Sequence, residues 1–223
     1  MRRRALPVLA ALAAFLASPV SALDRPVNAP LAERRADEPP GLKYAIFAGG
    51  CFWGVEGVFS HVKGVTSVVT GYHGGTRRQA TYDLVSSGMT DHAEAVRITY
   101  DPAIIRYDEL LRILFSVVTD PTQLNRQGPD TGTHYRSAIV PLSEEQRLVA
   151  LGYLAQMRES RLWRRPIVVR IERHRQFYPA EAYHQDFMAK NPRHPYIQAW
   201  DVAKVNALRQ MFPARYKRDF TTN

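Results

Sequence analysis

Gly49-Gly50-Cys51-Phe52-Trp53-Gly54 carries the only cysteine of the chain. Lys43 to Ala48, just before it, reads as a short buried strand. Phe52 to Val62, just after it, sets Val55, Val58, Phe59 and Val62 at helical spacing. Cys51 therefore falls between a strand end and a helix start. Free N–H groups at a helix start favour negative charge and are expected to lower the thiol pKa. The flanking glycines let a substrate approach the backbone closely. Phe52 and Trp53 place large apolar faces beside the sulfur, a wall suited to a small apolar group on a reacting atom. A nucleophilic thiolate is the chemistry this pattern points to. A small buried structural cysteine is the plain alternative.

Glu94 is the second candidate. In strand periodicity Glu94, Val96, Ile98 and Tyr100 share one face, so the carboxyl lies on the apolar side. Burial favours the neutral acid, which is a proton donor. A glutamate at the strand start facing water fits the same spacing. Tyr82, before the second pair of strands, and Gln127, Asp130 and Tyr135, in or just after the irregular stretch Asp120 to Thr133, supply polar groups. Tyrosine hydroxyls can donate to an oxygen that gains charge. Singly, each tyrosine also reads as a packing residue with a wet tip.

The elements that must position these groups alternate in type. Val65 to Tyr72 and Ala93 to Tyr100 are strand-like, and Tyr107 to Val118 is an apolar helix. Tyr135 to Val140 is a strand that stops at Pro141. Ser143 and Gln146 have capping-box spacing and open a helix to about Glu159. Ile167 to Glu172 is a further strand, and Ala199 to Met211 a last helix. The order β-α-β-β-α-β-α-β predicts an α+β two-layer sandwich with a mixed sheet and a ferredoxin-like split βαβ core.

The 223 residues suit one domain, and 45% hydrophobic content excludes wholesale disorder. A single cysteine excludes an internal disulfide and a multi-thiolate zinc site. Residues 1–22 resemble an export signal: Arg2-Arg3-Arg4, an apolar run from Ala5 to Ala17, and Val20-Ser21-Ala22 for cleavage after Ala22. The run is too short for an ordinary membrane span, so no stable span is expected after cleavage. Removing the three arginines lowers the formal charge of +9 to a modest value. Residues 23–41, with four prolines and no apolar period, read as a flexible tether. The domain is placed at 42–216 and a C-terminal tail at 217–223.

These motifs resemble a known family. Gly50-Cys51-Phe52-Trp53-Gly54 is similar to the signature of class A peptide methionine sulfoxide reductases, here in a single-cysteine form. Three further blocks follow in family order: Gly71-Tyr72-His73-Gly74-Gly75 with His92-Ala93-Glu94-Ala95-Val96, then Asp120 to Ser137, then Phe177 to Glu181 with His184-Gln185 and Asn191-Pro192. The resemblance implies that Cys51 attacks the sulfur of methionine S-sulfoxide while protonated Glu94 serves the oxygen. It implies that Tyr82 and Tyr135 bind that oxygen and that Phe52 and Trp53 hold the methyl group. Asp130, Gln127 and His184 would support the pocket. It implies no metal and no bound cofactor, a Cys51 sulfenic acid, and oxidised methionine in peptides and proteins as substrate. Without a resolving cysteine, the reductant must be an external thiol, either a small thiol or a thioredoxin-fold protein. A monomer exported to a periplasm-like compartment is expected. Asp91 stands where the family usually has glycine before His-Ala-Glu, and a solvent-facing Asp91 is the favoured reading.

Two other readings compete. One is a Cys-His hydrolase with His184 as base. The other is a basic exported binding domain, on account of Arg161, Arg164, Arg165, Arg170, Arg173 and Arg175. A solvated basic face is preferred for that cluster, and no nucleic-acid partner is expected.

Overall fold

The computed structural model describes residues 26–223; the export-signal reading of residues 1–22 lies outside them. In chain order the domain begins β1 (Lys43–Gly49), α1 (Phe52–Ser60), β2 (Val65–His73), α2 (Tyr82–Ser86), β3 (Ala93–Tyr100) and α3 (Tyr107–Ile113). A two-residue ladder follows, β4 (Arg126–Gln127) with β5 (Asp130–Thr131). Then come β6 (Ser137–Val140), α4 (Glu144–Glu159), β7 (Arg170–Ile171), β8 (Phe177–Pro179), α5 (Phe187–Lys190) and α6 (Val202–Met211).

The main sheet runs β7-β6-β1-β3-β2-β8. Its middle, β6-β1-β3-β2, is antiparallel throughout and has the order of a split βαβ core. Only β6 with β7 is parallel, so the sheet is mixed as expected. One face carries the larger core, in which Phe47, Val96 and Ile98 of the sheet meet Val55, Phe59, Leu110 and Leu114. The other face is lined by small residues, Ala48, Ala93, Ala95 and Ala138, with Phe177 over them. Alternation along β3 sorts side chains between the faces, and it sends Glu94 to the helix side with Val96 and Ile98.

Local chemistry explains the boundaries. Ser143 Oγ accepts from Gln146 N at 3.1 Å and starts α4. The reciprocal bond of a capping box is shifted by one residue, because Gln146 Oε1 accepts from Leu142 N instead. Past Ile113 the helix widens into a π turn, Leu114–Val118. Strand β7 is shorter than Ile167 to Glu172 because it is an edge, with Arg170 exposed. Helix α2 and strand β8 are too short to show a period and were not anticipated.

The tether reading is corrected. Residues 26–41 form an irregular strap laid along the domain. Val27 N donates to Ser116 O at 2.9 Å, and Ala29 is fully buried. Tyr153 Oη donates to Pro30 O at 2.8 Å, and Ala36 N donates to Asp108 Oδ1 at 3.0 Å. Prolines and missing periodicity removed regular structure without removing the capacity to dock, because side chains from α3 and α4 satisfy the strap's backbone. The C-terminal residues are also bound, since Thr221 N donates to Ser60 O and Lys63 N to Arg215 O.

Candidate active site

Cys51 sits where β1 turns into α1, at the position that caps the helix. The turn requires Gly50, whose φ is +91°. A side chain there would also strike Gln127, whose Cβ lies 2.5 Å from the place a Cβ would take. Cys51 is buried, and its thiol pKa is pushed well above the ordinary value. Burial is the main cause; the charges of Glu94 and then Asp201 add to it. The backbone N–H of Trp53 acts in the expected, lowering direction but is outweighed. The expectation of a resting thiolate at the helix mouth is therefore corrected: the resting group is a thiol.

Glu94 is 2% exposed, so the water-facing alternative is excluded. Its Oε2 accepts from Phe52 N at 2.9 Å, which ties the acid to the residue after Cys51. Burial pushes its pKa up to about 8; the Phe52 N–H opposes this, and the charge of Asp130 adds to it. Glu94 is a protonated acid at neutral pH. Asp91 is exposed, and its carbonyl accepts from Arg136 Nη2 at 2.9 Å.

The phenols of Tyr82 and Tyr135 feel the same centre. Burial raises both pKa values, and the charges of Glu94 and Cys51 raise them further, so both stay protonated donors. Tyr82 opens α2, with its N–H held by Glu181 Oε1 at 2.9 Å. Tyr135 ends a 3-10 turn, Thr133–Tyr135. Asp130 accepts a short hydrogen bond from Tyr196 Oη.

The apolar wall is a stacked assembly. Trp53 lies flat on Phe187, with centroids 3.7 Å apart and planes 5° apart. Its Nε1 donates to His184 Nδ1 at 3.1 Å. His184 also packs on Phe52 at 4.9 Å and Tyr82 at 4.5 Å, and burial lowers its pKa, which keeps it neutral. It is a brace between wall residues. Among the described residues no histidine hydrogen-bonds Cys51, which removes the geometric basis of the hydrolase reading.

Gln127, expected to support the pocket, does so through bonds inside the protein. Its Oε1 accepts from Asp120 N at 3.0 Å, and its Nε2 donates to Asp120 O and Ser137 Oγ at 2.8 and 3.0 Å. With its amide bonded inside the protein, it props the Gly50 turn.

Four contributors escaped the sequence reading. Phe187 opens α5, and Tyr196 lies in a short helical turn ahead of α6. Asp201 is fully buried over Gly54, and a Cβ on that glycine would lie 2.1 Å from Asp201 Oδ1. Glu56 lies in α1 and accepts from Asp186 N and Phe187 N at 2.9 and 3.2 Å, which holds Phe187 against Trp53. Only Glu56 had a visible signal, a carboxylate inside an otherwise apolar helix.

A buried thiol, a neutral acid bonded to the next residue's N–H, and phenol donors beside an aromatic wall define a thiol enzyme built for a polarised oxygen on an apolar group. Comparison with known proteins makes that class specific. The family described as peptide methionine sulfoxide reductase matches residues 43–216. A peptide methionine sulfoxide reductase MsrA 2 of Mesorhizobium japonicum is 54% identical, over 79% of this chain and 91% of its own. A protein of the same description from Synechocystis sp. is 50% identical, over 79% and 83%. Among solved structures, reduced Mxr1 from Saccharomyces cerevisiae aligns with a TM-score of 0.64 at 32% identity, covering 73% of this chain and 92% of that one. Methionine sulfoxide reductase A of Corynebacterium diphtheriae aligns with a TM-score of 0.58 at 33% identity, covering 70% and 78%. The chain belongs to the peptide methionine sulfoxide reductase family, in its class A.

Proposed function

We propose that the protein reduces methionine S-sulfoxide, free or in peptides and proteins, and so repairs oxidised proteins through a Cys51 sulfenic acid. The observation that carries this reading is the direct bond from Phe52 N to Glu94, which sets a protonated acid beside the sulfur that must react. The sulfoxide oxygen, which carries partial negative charge, is received by the Glu94 acid and by the Tyr82 and Tyr135 hydroxyls. The S-methyl group rests on the wall of Phe52 and Trp53. The Cys51 sulfur forms a bond to the polarised sulfoxide sulfur, and its proton is released. As the oxygen passes to Cys51, the thioether leaves as methionine. Cys51 is oxidised by two electrons, and the thiol hydrogen is balanced by that of the sulfenic hydroxyl. The raised thiol pKa suits this order. The nucleophile remains protonated until a bound sulfoxide takes the Glu94 proton into a hydrogen bond and draws the thiol electrons forward.

The single cysteine supports an external thiol as reductant. Two reductant thiols return Cys51 to the thiol, release water and become a disulfide. Among the described residues no helix is long and apolar enough to cross a membrane. The leader-like residues 1–22 support export to a periplasm-like compartment. N-terminal sequencing of protein from the extracytoplasmic fraction should begin at Leu23; mature protein found only in the cytosol would remove that proposal.

One equivalent of methionine S-sulfoxide, added without reductant, should yield one methionine and one oxygen on Cys51 by peptide mass spectrometry. Unmodified Cys51 with unreduced sulfoxide would refute the reaction.

A further inference from the structure

Behind the reactive pocket, at the same end of the sheet, lies a second cavity of about 660 Å³. The proposed reaction makes no use of it. Arg136, Arg170, Arg173 and Arg175 line it, against the carboxylates of Glu172 and Asp91. Arg136 spends its charge on Glu172, through bonds of 2.7 and 3.1 Å. Arg175 is pinned by its Nη1 to Gly74 O at 2.8 Å and by its N–H to His73 Nε2 at 3.0 Å. His73 is neutral, because burial lowers its pKa to about 4. Arg170 and Arg173 are exposed at the cavity and have no carboxylate partner among the described residues. The cavity therefore holds an uncompensated positive charge within a formed, concave surface.

We propose that this cavity binds a carboxylate-bearing segment of the oxidised polypeptide, and so selects which methionine sulfoxides are presented to Cys51. The inference rests on the proposed reductase activity. The cavity lies at the same end of the sheet as Cys51 but on its other face: His73, in the cavity lining, pairs with Ala93 of the small-residue face, whereas Glu94 pairs with Tyr72 on the helix face. Arg136 ties two segments of the cavity rim together by donating to both Thr133 O and Asp91 O, just ahead of Tyr135 and Glu94 in the chain. A chain seated by its sulfoxide at Cys51 reaches the arginines by continuing around this end of the sheet. Guanidinium groups match carboxylates in geometry and carry permanent charge. The cavity offers no exposed aromatic platform for bases, and its volume fits a few side chains, so an acidic peptide is favoured over nucleic acid.

The test compares peptides of equal length that carry one methionine sulfoxide flanked on either side by glutamates or by glutamines. The glutamate peptides should show a KM about five- to tenfold lower at low salt, with the gap closing as salt rises. An Arg170→Gln/Arg173→Gln double variant should erase that gap and leave turnover of free methionine sulfoxide unchanged. Both side chains are exposed, so the fold is not at stake. Equal KM values in the unaltered protein, or a gap that persists in the double variant, would overturn the proposal. So would an oligonucleotide that displaces the glutamate peptide at far lower concentration. If free methionine sulfoxide is not reduced at all, the reaction is at fault and not the cavity. Anisotropy of a labelled, unoxidised glutamate peptide then decides: binding lost in the double variant supports the cavity, and equal binding refutes it.

Discussion

The Cys51→Ser variant should lose turnover of methionine sulfoxide by at least about 10⁴-fold, with a folded and otherwise unchanged domain. The alcohol is far less nucleophilic than the thiol, and it cannot pass through a sulfenic acid that an external thiol reduces. Serine is nearly isosteric with cysteine. The cost is a buried hydroxyl beside Glu94, of order 1–3 kcal/mol if it finds no partner. Steady-state assays with a small dithiol as reductant measure the loss, and thermal melts verify that folding is retained. Turnover within tenfold of the unaltered protein would remove Cys51 from the reaction.

Glu94→Gln should slow sulfoxide reduction by about 10²- to 10⁴-fold, the range of a positioned general acid. Its pH signature is the sharper result. Glu94 has its pKa raised to about 8, so the acid form dominates below that value and is lost as pH rises through it. Single-turnover reduction should therefore fall on the alkaline side of about pH 8, and this limb should vanish in the variant. The substitution also removes a negative charge that raises the thiol pKa, so Cys51 should ionise at lower pH in the variant. Thiolate ultraviolet absorbance during a pH titration reports that shift. A structural role alone would alter stability and leave both signatures in place.

The sequence made some of these groups visible and concealed others for identifiable reasons. Cys51 stands out because glycines and aromatics crowd it within six residues. Glu94 stands out because strand alternation assigns a face from local spacing alone. The split βαβ order was readable because its strands and helices are long enough to show their periods. The sign of the thiol shift was not readable. Helix-mouth electrostatics is local, whereas burial and the Asp201 charge come from elements that arrive from the far end of the chain. How Gln127 supports the pocket was not readable, because proximity in a motif does not reveal where an amide's bonds go, and here they go to Asp120 and Ser137. Phe187 and Tyr196 sit in helical turns too short to show a period, and only tertiary packing brings them to Trp53.

The docked strap sets a limit on reach. Val27 is already fastened to Ser116 O, and four residues separate it from Ala22. However those residues are arranged, full extension gives them roughly 18 Å at most. A protein that kept its leader in a bilayer would have no stalk, and its catalytic body would ride against the lipid headgroups. Cleavage would convert an enzyme confined to that plane into one free to patrol the surrounding volume.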